Sequence, residues 1–297
     1  VVTLANKTDL HRYSPYLFIG PAFIILILGL LVPFFYGVGL SLYNFTFTNI
    51  RKTPDFYGLG NYFELFKDPY FWQSIWITFI FTFIVTLGEL LYGLVIALVL
   101  EEDVYGMRFW RSAFVLPFMI APVVVGIIWR YLFDSNFGII NYVLSVIGIA
   151  PKLWLSDPHL ALISIIIADI WQWTPFVFLM LLAGLQGIPE DLVSAGKIDG
   201  ANYFQNLIHI KLACIRNVLV VTAAMRIIDA FRSMVVVYNM TYGGPGKSTE
   251  ILSLSVYKTG FVEQRLGKAS AVAVVLMVLI YVVTSLVFFK SQEDERN

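Results

Sequence analysis

Residues 184–213 read GLQGIPEDLVSAGKIDGANYFQNLIHIKLA. Pro189 stands where a helix can begin, because a first-turn residue has no intrahelical use for its N–H. Glu190 and Asp191 follow, placing negative charge at the positive end of the helix dipole. Leu192, Ala195 and Ile198 recur at spacing three and form one apolar stripe. Asp199-Gly200 then stops the helix, since Asp favours turns and Gly tolerates positive φ. A second helical pattern resumes at Tyr203. Two accounts fit a short helix, a turn and another helix: an amphipathic segment lying on lipid, or a docking element for a partner.

What flanks this stretch is apolar. The chain has 297 residues, 59% of them hydrophobic and only 13% charged, with a mean hydropathy of +0.78. A soluble domain carries about 25% charged residues, so the composition indicates an integral membrane protein. Runs long enough to cross a bilayer occupy Tyr16–Leu42, Phe71–Leu100, Trp110–Phe133, Ala161–Leu185, Asn217–Met240 and Ala269–Phe289. They are too long for the strands of a membrane barrel. The first run exceeds a signal-peptide core, and no small-residue cleavage site follows it, so it is expected to remain as an anchor. The expected organisation is an N-terminal segment 1–15, a single transmembrane domain 16–290 and a tail 291–297. Ile139–Ile149, too short to span, is expected to be a surface or half-inserted helix.

Zero formal net charge gives no argument for nucleic acid. A single cysteine, Cys214, excludes an intrachain disulfide and a cysteine metal cluster. The scattered His11, His159 and His209 lack metal-ligand spacing. Lys and Arg divide almost evenly between the two sets of loops, so the positive-inside rule does not orient the chain. Parity is firmer: loop 186–216 and loop 241–268 are one span apart and lie on opposite sides.

The 184–213 stretch resembles the EAA loop of the permease subunits of binding-protein-dependent ABC importers, in their maltose- and glycerol-phosphate-type branch. That pattern runs Glu-Ala-Ala, three residues, Gly, nine residues, Ile-x-Leu-Pro. Here it reads Ser194-Ala195-Gly196, Gly200 and Ile210-Lys211-Leu212-Ala213, with the spacing intact. Ser194, Gly196 and Ala213 depart from it. YLFIGPAFIILILGLLVPFFYGVGLSL, YGLGNYFELFKDPYFWQSIWIT, FWRSAFVLPFMIAPVVVGIIWRYLF and IWQWTPFVFLMLLAGLQ resemble further segments of the same family, so the likeness covers nearly the whole chain.

The resemblance implies an all-α membrane protein of the type I importer fold, with six transmembrane helices and a cytoplasmic coupling helix. It implies a second homologous permease, two ATPase subunits that bind ATP and Mg²⁺, and an extracellular solute-binding protein delivering a carbohydrate. This chain would hold no cofactor or metal and would itself catalyse nothing. Glu190, Asp191, Leu192, Ser194, Ala195, Gly196, Ile198, Asp199, Gly200 and Ala201 would touch an ATPase. Loop 186–216 and both termini would be cytoplasmic.

Thr241–Thr249, TYGGPGKST, ends like a nucleotide-binding P-loop. That motif needs a glycine where Thr241 stands, and Pro245 removes an N–H from the phosphate cradle. The resembled family has a similar turn after its fifth span, so Gly243, Gly244, Pro245 and Gly246 are expected on the outer surface, facing the binding protein. Val235 stands where the family often has Asp.

Glu89, Arg130, Asp169, Arg226, Asp229 and Arg232 fall in or beside apolar runs, where charge is costly and points to a cavity, a partner or the interface. Arg226 and Asp229 are three apart and share a helix face, a spacing that allows them to pair. Bundle pairing and substrate contact are both open for these groups. Trp171, Trp173 and the Thr174-Pro175 step mark the fourth span, with Pro175 expected to kink it. Met119, Trp171, Trp173, Arg226, Asp229 and Tyr238 are the candidate substrate pathway. The arginines also suit an anionic substrate, such as a uronate oligosaccharide or glycerol phosphate. Two other classes were weighed: an ion-coupled transporter carrying protons on Glu89 or Asp169, and an intramembrane enzyme, for which no span offers a histidine or a nucleophile motif.

Overall fold

The computed structural model describes residues 19–47, 55–101 and 106–296; the expected segment 1–15 lies outside them. Packing divides the chain into two compact units, Val1–Leu65 with Lys258–Val274, and Phe66–Tyr257 with Val275–Asn297.

In the first unit, α1 (Ile19–Leu40) is an apolar helix long enough to span. A two-residue antiparallel ladder pairs β1 (Tyr43–Asn44) with β2 (Asp55–Phe56). Buried Asn61 donates from Nδ2 to the carbonyls of Ser41 and Tyr43, satisfying groups the chain exposes as it leaves the helix. Arg265 donates to Glu64 at 2.7 Å, and the Tyr57 hydroxyl donates to the same carboxylate. Burial raises the Glu64 pKa, but these bonds outweigh it and leave the carboxyl below its ordinary value.

The second unit is built on α3 (Pro69–Val99) and α7 (Pro158–Gln186); α2 (Gly60–Lys67) precedes the former. Both long helices start the same way. Asp68 and Asp157 accept backbone N–H bonds as N-caps, with Pro69 and Pro158 at the first helical position, so both ends are terminated by chemistry that requires no partner element. Gly88 and Gly93 bring the two helices close: a Cβ on Gly93 would stand 2.7 Å from Val177 Cγ1. Between apolar helices in lipid, such small residues allow backbone approach and dense packing. One core joins Phe81, Val85, Phe133, Ile165 and Val237; a second joins Ala97, Phe178, Leu181, Leu185 and Ile215.

Two of the expected spans contain helix breaks. Residues 110–133 are not one rod: α4 (Met107–Met119) and α5 (Pro122–Leu132) meet at 94°. Ala121 is extended, at φ −58° and ψ 136°, as the residue before a proline prefers. Gln172 Nε2 bonds the freed Ile120 carbonyl. Nor is 217–240 continuous. It consists of α10 (Arg216–Phe231) and α11 (Met234–Met240), interrupted at Ser233, whose φ −71° and ψ 49° and 2.7 Å bond from Met234 N to Arg232 O form an inverse γ-turn. By contrast α7 runs through Pro175 without interruption. The short helix expected within 139–149 is α6 (Ile139–Val146).

The 187–216 loop holds α8 (Glu190–Ile198) and α9 (Tyr203–Cys214), the latter bent 68° against α10. A short α12 (Leu252–Tyr257) and α13 (Leu266–Arg296) complete the chain. Among the described residues, four helices are long and apolar enough to cross a membrane, and up to six if each bent pair forms one span.

Candidate functional site

Inside the second unit, three helices meet on a buried ion cluster. Arg226 of α10 donates to both oxygens of Glu89 of α3, at 2.5 and 2.8 Å, and to Asp169 of α7 at 3.1 Å. The Ser233 hydroxyl donates to the other Asp169 oxygen at 2.7 Å. The three ionic side chains are at most 1% exposed. The Arg226–Asp229 pairing open to the sequence is not formed: Arg226 turns inward to two carboxylates in the core, which accept from two of its guanidinium nitrogens. Its guanidinium carbon lies 4.3 Å from the centre of the Trp173 ring.

Trp173 is one wall of a cavity of about 230 Å³ lined by Pro122, Trp173, Asp229, Arg232, Ser233, Val235 and Val236. This cavity sits where both helix breaks converge. Asp229 and Arg232 have no ion-pair partner among the described residues. The cavity thus offers an aromatic wall, a carboxylate, a guanidinium and a hydroxyl, a set that accepts, donates and covers an apolar face.

The six pathway candidates are dispersed. Trp173 and Asp229 share this cavity, and Arg226 stands behind Trp173. Trp171 lines a separate apolar cavity of about 420 Å³ with Tyr92, Phe114, Trp129 and Phe178, because two residues on a helix differ by about 200°. Met119 is exposed at the end of α4. Tyr238 packs its ring against Tyr242 and Tyr257. Sequence reasoning missed Ser233 and Pro122 as cavity residues; the signal was the pair of helix breaks, which hydropathy alone does not reveal.

On the 187–216 loop, Glu190, Asp191, Leu192, Ser194, Ala195, Asp199 and Gly200 are exposed, and Ile198 is 86% exposed at the helix end. Gly200 has φ +84°, which fits the stop read from Asp199-Gly200, and Ala201 N bonds the Gly196 carbonyl at 2.9 Å. Asn202 and Gln205 form a capping box that starts α9. Gly196 is buried: a Cβ there would strike Ile210 Cδ1, so the glycine is what lets α9 lie against α8. Asn206 ties the two with an Nδ2 bond to the Val193 carbonyl, and Lys211 pairs with Glu101 at the end of α3.

The GGPG turn is closed on itself. Thr249 Oγ1 lies 2.7 Å from Thr241 Oγ1 and donates to the Gly244 carbonyl; Gly243 and Gly246 have positive φ, and the Gly244–Pro245 bond is cis. Lys247 lies 4.2 Å from the centre of the Tyr70 ring. The Thr249 hydroxyl and the Lys247 ammonium are thus engaged within the protein.

Comparison with known proteins agrees with this architecture. The chain is 33% identical over 296 residues to the trehalose/maltose transport system permease protein MalF of Thermococcus litoralis, covering 97% of this chain and 99% of that one. It is 33% identical to the sulfoquinovosyl glycerol transport system permease protein SmoG of Agrobacterium fabrum, covering 92% and 89%. Among solved structures, a chain of a bacterial ABC transporter involved in the import of the acidic polysaccharide alginate superposes with a TM-score of 0.80 at 21% identity, covering 96% and 98%; this likeness speaks for the fold, a type I importer permease. Residues 89–292, which contain both helix breaks, the cavity and the two loop helices, match the family described as binding-protein-dependent transport system inner membrane component. The chain belongs to that family, as a multi-pass membrane permease.

Proposed function

We propose that the chain is a permease subunit of an ATP-driven importer that translocates a carbohydrate delivered by an extracellular binding protein. The observation that carries the reading is the cavity at the two helix breaks. A sugar presents C–H faces and hydroxyls that both donate and accept. The Trp173 indole covers the former, while Asp229, Arg232 and Ser233 serve the latter. The names of the trehalose/maltose and sulfoquinovosyl glycerol relatives support the same substrate class.

In this reading the chain hydrolyses no ATP. ATP and Mg²⁺ are bound by two partner ATPase subunits, which receive exposed Leu192 and Ile198 with the rest of the Glu190–Ala201 segment. Loop 187–216 and both termini are cytoplasmic, and the GGPG turn faces the binding protein. A second homologous permease completes the path. ATP shifts the conformers only insofar as the nucleotide states bind them differently, and the loop helices transmit that difference. Unpaired Arg232 favours one variant of the substrate, a sugar carrying an acidic group. Glu89 and Asp169, both locked to Arg226, are poorly placed as mobile proton carriers.

The test is reconstitution. A tagged chain should co-purify with a second permease and an ATPase, and sugar-loaded binding protein should stimulate ATP hydrolysis in proteoliposomes. Uptake that continues without ATP and collapses with the proton gradient would overturn the assignment.

A further inference from the structure

Resting on the carbohydrate reading of the cavity, we infer that Arg226 is a positioning residue for substrate selection, acting through the Trp173 ring and the Ser233 turn without touching substrate. Arg226 is fully buried and does not line the cavity, yet it is connected to two of the groups that do. Its guanidinium covers one face of Trp173, which leaves the indole to present its remaining surface to the cavity. Its second partner, Asp169, accepts the Ser233 hydroxyl on one oxygen and Arg226 on the other. Asp169 therefore fixes the turn that separates α10 from α11. Glu89, on a third helix, holds Arg226 with two bonds and fixes the plane of its fork.

The arrangement exceeds what neutralising a charge requires. One carboxylate would compensate Arg226, and a second acid in the core adds desolvation cost. The second acid is the one that reaches the cavity-lining serine. A guanidinium on a desolvated indole is also a directional contact, which an ammonium on a flexible stem reproduces only in part. Arg226 thereby ties the aromatic wall and the polar turn to one rigid point, so that they keep a fixed spacing.

The experiment uses the complete transporter with its binding protein in proteoliposomes, with labelled maltose, trehalose and sn-glycerol 3-phosphate as probes. The variants are Arg226→Met, Arg226→Lys and Asp169→Asn. Exposure of Trp173 to acrylamide is read as the difference between each protein and its Trp173→Phe counterpart. Arg226→Met should raise KM for the transported probe by about thirtyfold, the size of one lost desolvated cation–π contact, with Vmax changed much less, and should make Trp173 more quenchable. Arg226→Lys should fall between. If Arg226→Met fails to assemble, Arg226→Lys and Asp169→Asn carry the same two readouts. Transport by the parent protein with KM and quenching unchanged in the assembled variants would overturn the inference while leaving the carbohydrate reading intact. A parent protein that takes up no probe, and whose ATPase no sugar-loaded binding protein stimulates, would remove both.

Discussion

Gly196 faces Ile210 where the two loop helices pack together. A glycine inside a helix costs about 1 kcal/mol relative to alanine, which from sequence alone reads as a weakness. The structure gives the compensation: Ile210 fills the space a methyl group would take. Gly196→Ala should therefore be net destabilising by about 1 kcal/mol, an overpacking cost of about 1–3 kcal/mol exceeding the gain in propensity. Adding Ile210→Val should restore transport. Uptake rates of the single and double variants check this, and no loss in Gly196→Ala would refute it. Gly200 has a different constraint. Its φ of +84° is closed to proline, so Gly200→Pro should abolish transport while membrane insertion, followed by protease protection, stays normal. At the ion cluster, Glu89→Ala leaves Arg226 with Asp169 alone and should destabilise the fold by about 3–5 kcal/mol, as when one partner of a buried pair is removed. Thermal unfolding in detergent measures it, and a Glu89→Leu, Arg226→Met double variant should lose less than Glu89→Ala.

At the scale of elements, helix ends and helix breaks behave oppositely. The starts of α3 and α7 are encoded locally, by Asp followed by Pro. Asp157 accepts N–H bonds from Leu160 and His159, and these hold its carboxyl below the ordinary range. A depressed carboxyl contributes stability that is fully present above its unfolded pKa of about 3.9 and is lost as pH falls through the lower folded value. Protection of the His159 and Leu160 amides, relative to their intrinsic exchange rates at each pH, should accordingly fall below about pH 4, and Asp157→Asn, which retains the acceptor, should remove that fall. The breaks at Ala121 and Ser233 are different in kind. Pro122 marks the first in sequence, but the Ile120 carbonyl left open at the break is satisfied by Gln172 from another helix. Nothing local marks the second, because FRSM is compatible with a continuing helix; the turn is held by a bond from Ser233 to Asp169, distant in sequence.

At the scale of the molecule, the spans differ in how much of themselves they bury. The most apolar stretch of α7 is 61% buried, that of α3 33%, that of α13 11% and that of α1 none. The apolar surfaces of α1 and α13 thus remain available to lipid or to a second permease. Expressed alone, the chain should accumulate poorly and be cleared; co-expression with the second permease should raise its membrane level several-fold. Quantitative blotting of membrane fractions decides this, and equal levels would argue against an obligate pair.

Sequence alone determined the membrane class, the number of apolar runs and the helix–turn–helix of 187–216, because each rests on local chemistry: transfer of a side chain to lipid, a missing N–H, a residue that accepts positive φ. It also indicated which charges are costly, but not their partners. Only the tertiary structure decided that Arg226 pairs with Glu89 and Asp169 rather than Asp229, that Trp171 and Trp173 belong to different cavities, and that the third and fifth runs are broken. Those outcomes depend on groups brought together from helices far apart in the chain, where a buried charge or a freed carbonyl takes whichever partner the packing supplies.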